Sequence, residues 1–376
     1  MAPMIQGRQF PISKPRMALV VLGMHRSGTS ALTRVLNLLG AALPHNLMPP
    51  GPGNELGLWE PIRVAALHDE ILASVGSGWS ALKGPDAAWF ASPQADAYVG
   101  KIKELARREY FEAPLIVIKD PRLSLLFPLW ARALGDLDIV CKPIVALRNP
   151  LEVARSLCLR ERRQEADVGW RIDRAGLLAL HYNLSAERWT RSQARAFCHF
   201  DDLLRDWRDC MRRLGAEFGV AWPNWSPEAE MAIDAFLSPS HRHHQAPRHL
   251  TNESEVWAES ILPVYQALRQ ACAGRSLDPQ LFDQFRVAYD RAYNMFSRCF
   301  DDRLSTQQMM EEQSRSVQRL ERQIALLTQS TSWRMTAPLR RIVDGLRAWR
   351  SGLGRIESLS APMTHPFETL HIEPAE

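Results

Sequence analysis

The chain has 376 residues and an ordinary globular composition, with 46% hydrophobic and 23% charged residues. This length allows one large domain or two smaller ones around a sizeable apolar core. The formal net charge of +4 is compatible with anionic ligands but falls far short of a nucleic-acid-binding surface. The six cysteines form no C-x-x-C pair, which argues against a disulfide scaffold or a zinc site and fits a reducing compartment.

The N-terminal region predicts a protein of the cytoplasm. Residues 1–16 form a polar, proline-containing arm, and the apolar run that follows extends only from Met17 to Gly23. A run this short can neither span a bilayer nor serve as a typical signal sequence.

Three short apolar runs predict β-strands. They cover Ala18–Leu22, Leu115–Ile118 and Ile144–Leu147. Continuous apolar runs are typical of strands that are buried on both faces of a parallel sheet. Each is followed by polar residues and then by a stretch with helical spacing, such as Ala31–Leu39. The alternation predicts an α/β fold with an open, mostly parallel sheet flanked by helices.

The loop after the first predicted strand has the composition of a phosphate-binding loop. It reads Gly23-Met24-His25-Arg26-Ser27-Gly28-Thr29-Ser30. Backbone N–H groups in such a loop and at the start of the next helix form a cradle for phosphate. The glycines match the P-loop pattern G-x-x-x-x-G-K-[ST], except that Thr29 occupies the lysine position. The cation is instead Arg26, within the loop. A simple strand–helix turn with an exposed arginine is the alternative.

A second anion-binding segment follows the third predicted strand. Arg148 ends the strand, Asn149-Pro150 begins a helix, and Ser156 lies about two turns into it. The guanidinium and the hydroxyl can grip one phosphate together. Taken alone, these two residues could also be an exposed strand end and a helix-surface serine.

The two segments together, in this order, resemble bacterial sulfotransferases, which use 3′-phosphoadenosine 5′-phosphosulfate (PAPS). The resemblance covers about residues 17–250 and includes His199–Leu204. It implies a P-loop NTPase-like sulfotransferase fold with a C-terminal helical extension. It implies that the 5′-phosphosulfate is held by Arg26, Ser27, Gly28, Thr29 and Ser30. It also implies that the 3′-phosphate is held by Arg148 and Ser156.

The segment after the second predicted strand supplies a cation but no histidine. Cytosolic sulfotransferases carry Lys-Thr-His here, whose lysine contacts the sulfuryl group and whose histidine is the base. Lys119 fits the lysine, whereas Pro121 stands in the histidine position. We therefore expect Arg26 and Lys119 to be the catalytic cations.

The general base must then come from a carboxylate elsewhere. We favour Glu60, which lies in the segment Asn54–Pro61, over Glu55, with Asp120 third. Polysaccharide-modifying members of the fold use a glutamate base from this general region. The alternative role for Glu60 is to cap the helix that begins near Pro61-Ile62.

The C-terminal region changes character after residue 300. Residues 17–300 are predicted to form the sulfotransferase domain and residues 301–330 a helix. Apolar residues at a and d positions predict a coiled coil over 306–328 that pairs two chains. They are Met310, Val317, Leu320, Ile324 and Leu327. Residues 331–376 form a basic amphipathic tail with a disordered end. The segment 333–350 predicts peripheral contact with the inner membrane face; a partner-binding helix and a solvated helix are the alternatives.

The sequence predicts a PAPS-dependent sulfotransferase that acts without a metal on a hydroxyl of a cell-surface polysaccharide or glycolipid. We expect a carbohydrate acceptor and no nucleic-acid partner. The tract His241–His244 is basic but lacks a second cluster of metal ligands. A loop that closes over the nucleotide or an anionic acceptor is favoured over a metal site, and a solvated loop is the alternative. An ATP- and Mg²⁺-dependent phosphotransferase and an inactive scaffold are the alternatives; the missing loop lysine argues against the first.

Overall fold

The computed structural model describes residues 15–49, 57–110, 113–163, 170–237 and 257–296. The chain separates into two units, Met1–Phe300 and Asp301–Glu376. In the second unit the described residues are helical and exposed, and they are Gln313, Ser316, Val317, Arg319 and Leu320. The rest of the predicted coiled coil, the basic tail and the tract 241–244 lie outside the described residues.

The described part of the first unit contains a four-stranded parallel sheet in the order β2-β1-β3-β4. Its strands are β1 (Met17–Leu22), β2 (Leu115–Lys119), β3 (Val140–Leu147) and β4 (Ala196–His199). The first three contain the apolar runs that predicted them, and the predicted parallel α/β fold is confirmed. Because the strands are parallel, their carboxyl ends meet at one edge of the sheet, where ligands bind in such folds.

Helices cover both faces of this sheet. In chain order they are α1 (Thr29–Leu38), α2 (Ile62–Ser74), α3 (Pro93–Tyr110), α4 (Leu123–Gly135), α5 (Pro150–Arg163), α6 (Ile172–Thr190), α7 (Phe200–Arg205), α8 (Trp207–Phe218), α9 (Pro227–Phe236), α10 (Leu262–Ala271) and α11 (residues 279–296). No helix in the described ranges is long and apolar enough to cross a membrane.

The strand β1 divides two apolar cores. Val20 packs into the core formed with α4 and α6, whereas Leu19 and Val21 pack into the core formed with α1 and α8. All three side chains are fully buried. Burial on both faces explains why β1 is a continuous apolar run rather than an alternating one.

The strand β4 is not among the three strands that the apolar runs predict. It pairs with β3 at the edge of the sheet, with Ile144 opposite Ala196 and Leu147 opposite His199. Only four residues form it, and two of them are polar or small. A run this short carries too little hydrophobic pattern to be separated from the helices around it.

Candidate active site

The loop between β1 and α1 is held in a tight, left-handed conformation. Arg26 and Gly28 have φ angles of 69° and 85°, and the Ser27 N–H donates to the Met24 carbonyl at 3.1 Å. Gly28 is the N-cap of α1, and no side chain caps that helix. The first N–H groups of a helix have no carbonyl partner within it, and together with the helix dipole they attract an anion. The loop therefore presents its backbone donors at the carboxyl edge of the sheet.

Phe200 explains why a glycine stands at position 28. A Cβ atom on Gly28 would lie 2.4 Å from the Phe200 ring, far inside a normal contact. Phe200 follows β4 directly and begins α7. The unpredicted fourth strand thus places an aromatic wall against the loop.

The two predicted anion-binding segments are in direct contact. Arg26 Nε donates to Ser156 Oγ at 2.8 Å, and Arg148 Nη1 donates to the Arg26 carbonyl at 3.2 Å. These contacts join residues that are more than a hundred positions apart in the chain. The structure therefore brings both predicted segments together into one cradle that contains two arginines.

Arg148 is oriented by two residues that the sequence did not single out. Its guanidinium forms an ion pair with Glu152 at 2.8 Å and lies 4.8 Å from the centre of the Phe200 ring. Glu152 follows Arg148 by four residues, which is the spacing at which side chains meet on a helix. The sequence could therefore have indicated this ion pair. Phe200 lies in the segment that resembles sulfotransferases, but the sequence alone indicates no role for this residue.

Lys119 links the loop, the end of β2 and the segment before α2. Its Nζ donates to Glu60 Oε1 at 2.5 Å, to Ser30 Oγ at 3.0 Å and to the Leu58 carbonyl at 2.8 Å. Lys119 is only 2% exposed and Glu60 only 5%. The three N–H groups of the ammonium thus each have an acceptor. The candidate cation and the favoured candidate base form one buried ion pair.

The backbone around Glu60 is unusual. Gly57 and Trp59 have φ angles of 102° and 57°, and the positive value is costly for a residue as large as tryptophan. The Met48 N–H donates to the Glu60 carbonyl at 2.8 Å, which ties this segment to the preceding one. The N-cap of α2 is Pro61, and no side chain caps that helix. The alternative that Glu60 is a helix cap is therefore wrong.

Both carboxylate oxygens of Asp120 are held by contacts within the protein. Its carboxylate accepts from the Arg122 N–H and from Arg122 Nη1, both at 2.8 Å, and lies 3.1 Å from His68 Nδ1. His68 Nε2 accepts from the Trp130 indole N–H at 2.7 Å. Burial would raise the pKa of Asp120, but Arg122 and His68 together hold the pKa below its usual range. Asp120 is thus placed to fix the turn after β2, not to take a proton, and Glu55 lies outside the described residues.

Two further residues, one in the loop and one beside it, make contacts that the sequence does not predict. Ser124, at the start of α4, accepts the Gly23 N–H at 2.9 Å through its hydroxyl. His25 packs edge-on against Trp79, with the ring centres 4.9 Å apart. Burial lowers the pKa of His25 well below its usual value, and the charge of the nearby Arg160 lowers it further. The ring is therefore neutral at pH 7 and adds no charge to the cradle.

The remaining predicted loop residues lie in the same cradle. Ser27 and Thr29 are buried, and because the Ser27 N–H is already bonded to the Met24 carbonyl, the backbone donor that this pair offers an anion would be the Thr29 N–H. The Ser30 hydroxyl donates to the Leu58 carbonyl at 3.1 Å while accepting from Lys119. It thereby joins the loop to the Glu60 segment.

No family model matches the chain, and no curated protein matches it. Among solved structures it is similar to the sulfotransferase domain from the curacin biosynthetic pathway, with 15% identity, a TM-score of 0.36, and coverage of 70% of this chain and 99% of that one. It is similar to the sulfotransferase domain of the Synechococcus PCC 7002 olefin synthase, with 18% identity, a TM-score of 0.38, and coverage of 73% and 100%. It is also similar to sulfotransferase STF1 from Mycobacterium tuberculosis H37Rv, with 16% identity, a TM-score of 0.34, and coverage of 70% and 78%. Identities and TM-scores this low carry no argument about chemistry, which rests on the geometry of the site.

Proposed function

We propose that this protein transfers a sulfuryl group from PAPS to a hydroxyl group. The observation that carries the proposal is the contact between Arg26 Nε and Ser156 Oγ. It joins the loop after β1 to α5, so that one cradle can hold two anionic groups of one nucleotide. Arg148, which donates to the Arg26 carbonyl, supplies the second cation of that cradle.

The residues of the cradle fit a nucleotide with two separate anionic groups. The uncapped N-terminus of α1 suits the 5′-phosphosulfate, because its backbone donors and dipole favour negative charge. Arg148 and Ser156 suit the 3′-phosphate, because a guanidinium fork and a hydroxyl can each bond phosphate oxygens. The loop has threonine where an ATP-binding loop has lysine, which favours PAPS over ATP.

The buried pair of Lys119 and Glu60 supports a role for both in the transfer. The Glu60 carboxylate would take the proton of the acceptor hydroxyl, whose oxygen forms the new bond to sulfur. The bond from sulfur to the 5′-phosphate oxygen breaks, and its electron pair remains on that oxygen. Lys119 and Arg26 would stabilise the negative charge that develops there. In the structure Glu60 is bonded to Lys119, so this scheme requires the pair to separate when the substrates bind.

For the acceptor we propose a carbohydrate hydroxyl on a cell-surface polysaccharide or glycolipid. The support is the resemblance of the sequence to bacterial sulfotransferases together with the basic, tryptophan-containing segment 333–350. A peripheral, dimeric protein at the inner face of the membrane would meet lipid-linked glycans as they are assembled. The dimer would form through the coiled coil predicted for 306–328.

The proposal is tested by incubating the purified protein with PAPS labelled at sulfur and with glycans extracted from the host. We expect label to pass to a glycan fraction with the wild-type protein and not with an Arg148→Ala variant. A parallel reaction with ATP labelled at the γ-phosphate tests the phosphotransferase alternative. Transfer from ATP and none from PAPS would overturn the proposal.

A further inference from the structure

A second cleft lies between α6, α11 and the segment 83–87. Its volume is about 160 Å³. His181 and Arg188 line it from α6, and Arg286 and Tyr289 line it from α11. None of its lining residues belongs to the cradle around Arg26.

The cleft carries one positive charge in excess. Two of its cations are paired with its two carboxylates, Lys83 with Asp86 at 3.3 Å and Arg286 with Asp290 at 3.6 Å. Among the described residues Arg188 forms no ion pair. Arg188 is only partly buried, but a guanidinium that has no bonded carboxylate still favours an anion beside it.

The environment of Arg188 reinforces this preference. Its guanidinium lies 4.3 Å from the centre of the Trp189 ring, which holds it in place without neutralising it. Burial lowers the pKa of Arg188, and the charge of Arg286 lowers it further, while Asp290 and Asp283 oppose this in part. The net effect disfavours the charged guanidinium in the protein alone, and a bound anion would relieve it.

Two buried nitrogen atoms in the same cleft lack a hydrogen-bond partner among the described residues. They are His181 Nε2 and Arg286 Nε. The His181 ring stacks on Tyr289, with the ring centres 5.6 Å apart and the planes 10° from parallel. Burial lowers the pKa of His181 to about 4, so the ring is neutral at pH 7 and can place its one N–H on Nε2. A buried donor left unsatisfied is destabilising, and an oxyanion could accept from both atoms.

We propose that this cleft is a second anion-binding site, which holds one oxyanion group, a carboxylate or a sulfate, of a ligand. Arg188 supplies the positive charge and two parallel N–H donors, and Arg286 Nε and His181 Nε2 supply one further N–H donor each. The inference stands on the cleft alone and does not depend on the proposed sulfuryl transfer.

Hydrogen exchange measured by mass spectrometry can test the site in the full-length chain, because it reports on each segment separately. The probes are inorganic sulfate and D-glucuronate, with D-glucose as the neutral control and chloride to keep the ionic strength constant. Sulfate and glucuronate should slow exchange saturably in peptides from 181–189 and 284–294, and glucose should not. Protection by glucose equal to that by glucuronate would show that the cleft does not select an anion, and would overturn the proposal.

Variants separate this site from the loop. Arg188→Gln should weaken the anion-dependent protection of 181–189 by about tenfold or more, the scale for losing one charge-assisted hydrogen bond. His181→Phe keeps the stacking on Tyr289 and removes the donor, so it should weaken binding while leaving thermal stability unchanged or higher. The control Arg108→Gln alters an exposed arginine of α3 and should change nothing.

The pattern across the two sites decides the outcome. Arg26→Gln should abolish sulfate protection of the loop peptide 23–32 and leave that of 181–189 intact. If neither anion protects 181–189, or if Arg188→Gln and His181→Phe both behave as wild type, the second site does not exist. Loss of protection at the loop alone would bear on the proposed function and not on this inference.

Discussion

Arg26 and Ser156 are hydrogen-bonded at 2.8 Å although they are 130 positions apart in the chain. The contact is made across the carboxyl edge of the sheet, where β1 and β3 are neighbours. Because a hydroxyl is a neutral acceptor, this contact orients the Arg26 guanidinium and does not itself cancel its charge.

Arg148→Ala should weaken binding of adenosine 3′,5′-bisphosphate by about 2–4 kcal/mol, the usual cost of removing one partner from a charge-assisted contact that is shielded from water. Arg148 is needed because its guanidinium fork is the proposed partner of the 3′-phosphate together with Ser156. Calorimetry on the folded variant measures the loss. The matched control is Arg162→Ala, which removes an exposed arginine of α5 and should leave the affinity unchanged. Equal affinities in Arg148→Ala and the wild type would remove the 3′-phosphate assignment.

Gly28→Ala should impair nucleotide binding through the shape of the loop. The new Cβ would lie 2.4 Å from Phe200, so either the ring or the loop must move. Gly76→Ala is the matched control, since Gly76 also has a positive φ, of 67°, but a Cβ there meets nothing within 4 Å. Both variants carry a backbone cost of about 1 kcal/mol, and thermal denaturation should show it in each. Only Gly28→Ala should also lose affinity for the nucleotide; equal affinities in the two variants would contradict a role for the Phe200 contact.

The sequence predicted those parts of the fold that are encoded by local pattern. The strands β1, β2 and β3 are continuous apolar runs because both of their faces are buried. The strand β4 is short and lies at the sheet edge, and its pairing with β3 depends on tertiary contacts that no local window contains. Its omission also hid the role of Phe200, which reaches the loop only because β4 ends beside it.

The candidate residues were predicted better than the contacts between them. Lys119 and Glu60 were both named, yet their ion pair joins positions 59 apart, and nothing in either segment specifies the other. The sequence leaves Asp120 as a candidate base, because His68 and Arg122 contact its two carboxylate oxygens only in the folded chain. Spacing along a helix can indicate a pair such as Arg148 and Glu152, whereas contacts across the sheet edge need the topology.

Transfer should proceed in an excess of EDTA. ATP-binding loops rely on a lysine together with Mg²⁺. This loop has Thr29 in the lysine position, and its cation is Arg26. Sulfuryl transfer measured with and without the chelator, after dialysis to remove bound metal, should give equal rates. Activity that disappears with EDTA and returns on addition of Mg²⁺ would favour the phosphotransferase alternative.

The C-terminal segment should give reversible attachment to anionic membranes. Its basic residues are Arg334, Arg340, Arg341, Arg347 and Arg350, against the single acid Asp344. Each arginine near an anionic surface contributes about 1 kcal/mol. The full-length protein should therefore sediment with anionic vesicles at low salt but not with neutral vesicles, and less at high salt. A chain that ends at Gln329 should remain in the supernatant, and failure of the full-length protein to bind would rule out membrane attachment by this segment.

Glu60→Gln should lower kcat by about 10²- to 10⁴-fold, the scale for losing a general base, while affinity for the nucleotide stays nearly intact. The substitution keeps an acceptor for Lys119 but leaves its charge without a carboxylate, and breaking a buried pair costs about 3–5 kcal/mol of stability. A lower unfolding midpoint is thus expected, and the rate must be measured where circular dichroism shows the variant to be folded. The double variant Glu60→Gln with Lys119→Met removes the unpaired charge and should regain stability without regaining activity, which separates loss of the base from loss of the fold. Glu55→Gln should cost much less than Glu60→Gln. If Glu60→Gln retains a rate near that of the wild type while Asp120→Asn is folded and inactive, Asp120 is the base and Glu60 serves only to hold Lys119.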